Sequence, residues 1–256
     1  TRGKAIVNLL NVGPQEKITA ILPVKEFVED RFIMMATRLG VVKKTALLEY
    51  SHPRTGGIIA LNLDEGDKLI AVSLTDGNQH VLLATKNGKS IRFGEGDVRS
   101  IGRVGRGVRG MTLEDDDLVI GMEILSNEPG GSTLFTVSER GYGKRTDLSE
   151  YRLQSRGGKG IITIKTSERN GCVVDIMQVT DDKDLMLITN EGKILRVSVG
   201  DFSVIGRNTQ GVRLMGMEEG ERVVAVARLA EKEEDEELVV EGEEMGQSEH
   251  LEDEDV

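Results

Sequence analysis

The sequence predicts an all-β protein built as a propeller-like or solenoid array of repeated units. A glycine- and cation-rich turn recurs about every fifty residues, and its aligned glycines are spaced 54, 50, 53 and 51 residues apart. Runs rich in Val, Ile and Leu flank the turns, and residues 1–230 contain no pattern typical of a long helix. A repeat of this length is typical of arrays whose units bury a core only together. The aligned residues are Gly3, Gly57, Gly107, Gly160 and Gly211.

Each repeat is predicted to open with a β-hairpin. Apolar runs surround turns such as Lys86-Asn87-Gly88-Lys89, where glycine adopts the positive φ that tight hairpins need. The second strand ends in a cation, and a loop then leads to the glycine turn. The predicted hairpins are 33–45, 81–93, 134–146 and 185–197.

A short strand after the glycine turn and a longer alternating strand complete each repeat. The longer strands are predicted at 17–22, 68–74, 118–124, 173–179 and 222–229. Full units therefore cover about 31–77, 80–127, 132–181 and 183–230, with a partial unit at 1–27. Because the opening hairpin occurs four times and the other parts five times, we expect Thr1 to fall inside a repeat whose start lies upstream.

The net charge of −11 conceals a nearly neutral body and an acidic tail. Of the 44 acidic and 33 basic residues, 14 acids and one lysine lie in 231–256, which leaves 30 acids and 32 bases in 1–230. A tail of this composition cannot bury enough apolar surface to fold, so we predict that 231–256 is disordered.

The cysteine content and the apolar runs exclude several classes of protein. A lone Cys172 excludes an internal disulfide and a multi-cysteine metal site, and it is typical of a reducing compartment. No apolar run approaches 18 residues, and the first residues lack a signal-peptide pattern. We expect a cytoplasmic chain without membrane association.

The cations of the body cluster at the turns and at the ends of the hairpins. Because they recur with the blades, they predict a curved positive band that binds duplex DNA and bends it. Only eight aromatic residues are present, which disfavours the stacking platforms of single-strand binding. The candidate DNA contacts are Lys44, Arg54, Arg92, Arg103, Arg106, Arg109, Arg145, Arg156, Lys159, Arg196, Arg207 and Arg213.

No residue pattern indicates catalysis. His52, His80 and His250 lack ligand spacing, and the glycine-rich segment 102–110 lacks the lysine-hydroxyl pair of a phosphate loop. The acids Glu49, Asp97, Glu150 and Asp201 occur one per blade and are predicted to be structural. We predict no catalytic site, no metal site and no cofactor in this chain.

One turn resembles a known motif. The segment Gln154, Ser155, Arg156, Gly157, Gly158, Lys159 and Gly160 resembles the box Gln-Arg-Arg-Gly-Gly-Lys-Gly of the DNA gyrase A C-terminal domain family, with Ser155 in place of the first arginine. Matches such as Gly141-Tyr142-Gly143-Lys144-Arg145-Thr146 extend the resemblance along nearly all of 1–230.

The resemblance implies a β-pinwheel of six four-stranded blades that wraps duplex DNA. The first blade and half of the second would then precede Thr1, and 154–160 would be a sister copy of the family's decisive box. It further implies a bacterial, nucleoid-associated type II topoisomerase of A2B2 composition. In that enzyme the breakage-reunion domain of gyrase A and the gyrase B protein use ATP and Mg to introduce negative supercoils. The acidic tail resembles the family's regulatory tails, while a purely solubilising tail is the alternative.

Three other functions are alternatives for this sequence. The C-terminal domain of the topoisomerase IV A protein shares the fold, and its family lacks the strict box. A propeller that binds proteins would present apolar or aromatic residues where this chain has Arg and Lys. An autonomous enzyme is the third possibility.

Overall fold

The computed structural model describes residues 16–125 and 132–229, which form fifteen strands in four antiparallel sheets. The predicted turn at Gly3 and the predicted disordered tail lie outside these residues. The strands are β1 (Phe32–Thr37), β2 (Val41–Ala46), β3 (Leu69–Thr75), β4 (His80–Thr85), β5 (Lys89–Gly94), β6 (Val108–Arg109), β7 (Val119–Leu125), β8 (Thr133–Ser138), β9 (Tyr142–Asp147), β10 (Ile161–Ile162), β11 (Val173–Val179), β12 (Asp184–Thr189), β13 (Ile194–Ser198), β14 (Val212–Arg213) and β15 (Val223–Arg228).

All four predicted hairpins form, as β1–β2, β4–β5, β8–β9 and β12–β13. Glycines at their tips adopt φ values from 72° to 85°, which a side chain would disfavour. The predicted long strands β3, β7, β11 and β15 pair with the first strand of their own hairpin. The all-β fold expected from the repeat is therefore confirmed.

The fourth strand of a sheet comes from the following repeat. Sheet 1 has the order β3-β1-β2-β6, sheet 2 β7-β4-β5-β10 and sheet 3 β11-β8-β9-β14. Sheet 4, with the order β15-β12-β13, has three strands within the described residues. The repeats thus interlock, because each hairpin is covered by a short strand that its successor supplies.

Two predicted strands are wrong. Residues 17–22 and the residues after Gly57 lie outside any strand. In the other repeats the long strand pairs with a hairpin just before it, and the short strand pairs with the hairpin of the preceding repeat. The described residues before Lys17 contain no such hairpin, so neither segment pairs with a strand there.

The only helical segments in residues 16–125 and 132–229 are four short 3-10 turns, at Leu47–Tyr50, Glu95–Asp97, Leu148–Glu150 and Val199–Asp201. None of the described helices has the length and apolarity that crossing a bilayer requires. Each 3-10 turn follows the second hairpin strand, where it redirects the chain toward the neighbouring sheet.

The core lies between neighbouring sheets. The strands β3, β7, β11 and β15 contact one another in series along one side of the assembly. Buried clusters join adjacent sheets, as where Met34 and Val42 of sheet 1 share a cluster with Leu83 and Phe93 of sheet 2. The short strands β6, β10 and β14 lie at the opposite edges of their sheets, so the glycine turns are held on the outer side.

Candidate nucleic-acid interface

The glycine turns cross from their own repeat to the outer edge of the preceding sheet. We call three of them, 101–109, 154–162 and 205–213, the rim turns. The first residue of each donates its backbone N–H to the carbonyl of the strand-end cation, at 2.9 Å from Ile101 to Lys44 and 2.8 Å from Gln154 to Arg92. The last two residues of each rim turn form β6, β10 or β14. Both ends of a rim turn are therefore fixed to the preceding sheet.

Glycine is required at the seventh position of each rim turn. Gly107, Gly160 and Gly211 have φ values of 93°, 72° and 78°. A Cβ atom there would lie only 2.6, 2.3 and 2.6 Å from a carbonyl oxygen of the paired strand. The recurring glycine therefore permits both the left-handed backbone and the close approach of two chains.

An arginine at the third position ties each rim turn to the one before it. Its Nη1 donates to the carbonyl of the residue two positions after the aligned glycine of the preceding turn, which is Gly57, Gly107 or Gly160. The three bonds are Arg103 to Ile59 at 2.9 Å, Arg156 to Arg109 at 3.0 Å and Arg207 to Ile162 at 2.6 Å. Successive turns are thus joined in series, which fixes the spacing of the cations that they carry.

The box-like segment 154–160 forms most of the rim turn on sheet 2. The backbone N–H of Gly157 donates to Gly110 at 2.6 Å, and Thr112 contacts this segment twice, donating its Oγ1 to Gly157 at 2.7 Å and its N–H to Gly158 at 2.9 Å. Lys159 is exposed between Gly158 and Gly160. The segment is therefore a firmly held loop that presents one free ammonium group.

The strand-end cations correct part of the predicted contact set. Lys44 and Arg145 are buried, and Arg92 is half-buried. Each donates to a carbonyl near the 3-10 turn of the next repeat: Lys44 to Glu95 at 3.1 Å, Arg92 to Leu148 at 3.1 Å and Arg145 to Val199 at 2.9 Å. These three cations join neighbouring repeats and do not face a polyanion. In sheet 4 the equivalent Arg196 is exposed and pairs with Asp184.

The other predicted cations lie on the outer side. Arg54, Arg109, Lys159 and Arg213 are exposed, and Arg106 forms an exposed ion pair with Asp64 at 3.1 Å. Sequence reasoning missed Arg99 and Arg152, which are exposed just before the rim turns. Each lies two residues after the acid that occurs once per repeat. The pattern is incomplete in the sequence, because Ser51 and Ser203 occupy the same position in the other two repeats.

Two buried lysines were also missed. Lys43 and Lys144 are each 1% exposed and sit beside the strand-end cation, on the opposite face of the strand. Lys43 Nζ donates to the carbonyls of Ala60 and Arg103, both at 2.6 Å. Lys144 Nζ donates to the carbonyls of Gly206, at 2.8 Å, and Arg207. The lysines hold the rim turns on sheets 1 and 3, whereas Ile91 takes this position in sheet 2.

Burial makes these lysines sensitive to pH. Loss of hydration lowers the pKa of both Lys43 and Lys144 to about 8 from the usual value of 10.5. Between pH 8 and 10.5 the unfolded chain then binds more protons, so stability should rise with pH in this window. We expect urea unfolding at pH 7.5 and 9.5 to reveal an increase that is smaller in Lys144→Met. An equal change in both proteins would contradict this assignment.

Tyr50, Tyr151 and Cys172 are not activated as nucleophiles. Burial raises the pKa of Tyr50 and of Tyr151, the reverse of what a phenolic nucleophile needs. Burial likewise raises the pKa of Cys172. Within residues 16–125 and 132–229, no group of three His, Cys, Asp or Glu side chains is placed to hold a metal ion. The arrangement supplies cations and backbone amides, which suit binding.

Comparisons with known proteins agree with this geometry. The family model described as "DNA gyrase C-terminal domain, beta-propeller" matches residues 31–76, 79–126, 132–180 and 183–230. The chain is 50% identical over 237 residues to the DNA gyrase A protein of Salmonella typhimurium, a match that covers 93% of this chain and 27% of that protein. This chain thus spans about a quarter of the length of the curated relatives that it matches.

Two solved structures share the fold at 27% identity. One is the C-terminal domain of DNA topoisomerase IV, with a TM-score of 0.83 over 89% of this chain and 70% of that one. The other is the DNA gyrase A C-terminal domain, with a TM-score of 0.79 over 90% of this chain and 76% of that one. The four matched segments cover most of the chain. The chain therefore belongs to the DNA gyrase C-terminal domain family of β-propellers.

Proposed function

We propose that this chain is a non-catalytic module that binds duplex DNA and wraps it along its outer edge. The observation that carries the proposal is the series of rim turns, each presenting at least one exposed cation and each tied to its neighbour by an arginine. Membership of a gyrase family supports the choice of duplex DNA as the polyanion.

The chemistry is electrostatic. Exposed Arg and Lys side chains neutralise phosphates and release counterions, and they contact the backbone without reading the sequence. We propose the contact set Arg54, Arg99, Arg106, Arg109, Arg152, Lys159, Arg196 and Arg213, with the partly exposed Arg103, Arg156 and Arg207 using the donors that their carbonyl bonds leave free.

Wrapping follows from the propeller fold, because sheets that repeat radially carry the rim turns around a curve. Cations spaced along successive sheets engage phosphates together only if the duplex bends. Smooth bending of 20–30 bp costs on the order of 1–6 kcal/mol, which several phosphate contacts offset. The interlocked sheets keep the track stiff, so the bend is imposed on the DNA.

The larger assembly is part of the proposal. Relatives at 42–50% identity are gyrase A proteins, so we place this module in a bacterial, cytoplasmic gyrase, beside a breakage-reunion domain and the gyrase B protein. In such an enzyme the wrap would present a crossing that the other domains convert into negative supercoils, using ATP and Mg²⁺ bound elsewhere. Structural likeness to topoisomerase IV favours the second candidate, relaxation or decatenation, while the sequence relatives favour gyrase.

DNA binding across a salt series tests the proposal. We expect a protein lacking 231–256 to bind a duplex of about 40 bp, with roughly 10³-fold or greater loss of affinity between 50 and 200 mM salt if six or more phosphates are contacted. Absence of binding at low salt would refute the wrapping function.

The intact chain provides the second arm of that experiment. Its 14 tail acids are expected to compete with phosphates for the rim, so the intact chain should bind more weakly at low salt, with a difference that shrinks as salt screens the charges. Equal affinities would show that the tail does not compete, without affecting the binding proposal itself.

A further inference from the structure

Tyr142, at the start of β9, gathers two arginines around its hydroxyl. Arg169 Nε and Arg213 Nη2 each donate to Tyr142 Oη at 3.3 Å. Both guanidinium groups also lie over the ring, 5.1 and 5.7 Å from its centroid. The phenol therefore holds two positive groups close enough for one small anion to contact both.

These guanidinium groups lack a carboxylate partner. In residues 16–125 and 132–229, neither Arg169 nor Arg213 forms an ion pair. They border an open cavity of about 600 Å³ that Arg140 and Arg222 also line. Four acids line that cavity. Glu218 and Glu221 pair with Lys193, at 3.9 and 2.9 Å, and neither Glu139 nor Glu219 forms an ion pair with Arg169 or Arg213 in the described residues. Two like charges held together by one phenol, without an ion pair to these acids, point to an external anion.

The other repeats do not build this cluster. In each repeat the residue after the first hairpin strand donates its backbone N–H to the carbonyl of the residue before the long strand. The four bonds are Arg38 to Lys68, Lys86 to Leu118, Glu139 to Cys172 and Asn190 to Arg222, and they align the bends that precede the long strands. Three residues before the residue that accepts this bond, sheet 3 has Arg169, whereas the other sheets have the acids Glu65, Asp115 and Glu219.

The partners of Arg169 also change between repeats. At the position of Tyr142, sheet 1 has Val41 and sheet 2 has Lys89. Lys89 is neutralised by Glu114 at 2.6 Å. Sheet 3 alone among the described sheets thus replaces an acid with an arginine beside an aromatic ring, a change that the shared fold does not require.

We infer that Tyr142, Arg169 and Arg213 form a phosphate-binding site. The fork geometry of guanidinium suits bidentate contact with phosphate oxygens, and the phenol fixes both groups before binding. The phosphate could belong to a DNA backbone, in which case the inference rests on the proposed function, or it could be a free phosphate or polyphosphate. The two sources share the same chemistry and require separate assays.

Pyrophosphate is the probe for the free anion, and Tyr142 supplies the signal. The two arginines lower the pKa of Tyr142, while burial raises the pKa of Tyr50 and of Tyr151, so Tyr142 ionises first. Pyrophosphate should neutralise the arginines and move the first phenolate transition at 295 nm to higher pH in the intact chain. Tyr142→Phe should remove this transition, and Arg169→Gln/Arg213→Gln should abolish its response. Lys89→Gln, in sheet 2, should respond like the original protein.

DNA is the second probe. If the phosphate belongs to a duplex, Arg169→Gln/Arg213→Gln should lower the slope of log K against log salt by about 1, and pyrophosphate should compete with DNA. Lys25→Gln/Lys68→Gln removes the same charge from exposed positions and should change the slope less.

The outcomes separate the alternatives. A pyrophosphate response with an unchanged DNA slope assigns the site to a free anion, and this arm remains valid even if the chain fails to bind DNA. An unaltered Tyr142 transition together with an unchanged slope would overturn the inference.

Discussion

Gly160→Ala is expected to destabilise the protein by about 2–5 kcal/mol. The left-handed backbone at Gly160, with φ of 72°, costs an L-residue about 1–2 kcal/mol. The new methyl group would lie 2.3 Å from the carbonyl oxygen of Ser90, and such overpacking typically costs a further 1–3 kcal/mol. Because β10 pairs with β5 directly after this glycine, the rim turn on sheet 2 should detach before the rest unfolds. Urea unfolding and DNA affinity measure both effects.

Gly57→Ala is the matched control. Gly57 has a similar φ of 80°, but no heavy atom lies within 4 Å of its ideal Cβ position. Gly57→Ala should therefore lower stability only by the cost of the left-handed backbone, about 1–2 kcal/mol. If the two variants lose equal stability, close approach of the chains at Gly160 is not a constraint on the fold.

Lys144→Met is expected to lower stability by about 1–3 kcal/mol and to weaken DNA binding. The substitution removes the donor shared by the carbonyls of Gly206 and Arg207 and by Thr209 Oγ1, and unpaired buried acceptors carry a cost of this size. The rim turn on sheet 3 would lose its fixed position, and with it the contact of Arg213. The slope of log K against log salt should fall by about 1 for each cation displaced.

Ile91→Met tests the same strand position where no lysine is present. The rim turn on sheet 2 is held by Thr112 instead, so this volume-conserving change should cost less than about 1.5 kcal/mol and leave the salt slope unchanged. A Lys144→Met protein that keeps its full slope would show that Lys144 supports only the fold. Recovery of the slope in Lys144→Arg would support a positioning role, because arginine can still donate to the carbonyls.

The hairpins and the family could be predicted from sequence because their signals are local. Asn87-Gly88 fixes a tight turn through the backbone freedom of one glycine, and alternation of apolar residues identifies the paired strands. The prediction failed at 17–22, where the local pattern is equally good. A strand also needs a partner, and the described chain offers none there.

For the cations, too, one property could be predicted from the sequence and another could not. Their clustering at the glycine turns was visible in the sequence, and Arg106, Arg109 and Lys159 do lie on the outer side. Their accessibility was not visible. Lys44 and Arg145 carry the same charge but extend toward the next repeat, where carbonyl groups take the place of solvent.

The sequence by itself determined that this protein is a repeating β-structure of the gyrase C-terminal family, with cations grouped at each glycine turn. Only the tertiary structure decided that each turn belongs to the preceding sheet, which cations are buried between repeats, and that Arg169 and Arg213 meet at Tyr142. The reason is physical. A turn and a strand follow from neighbours along the chain, whereas burial and charge pairing depend on residues tens of positions away, which come together only when the sheets pack.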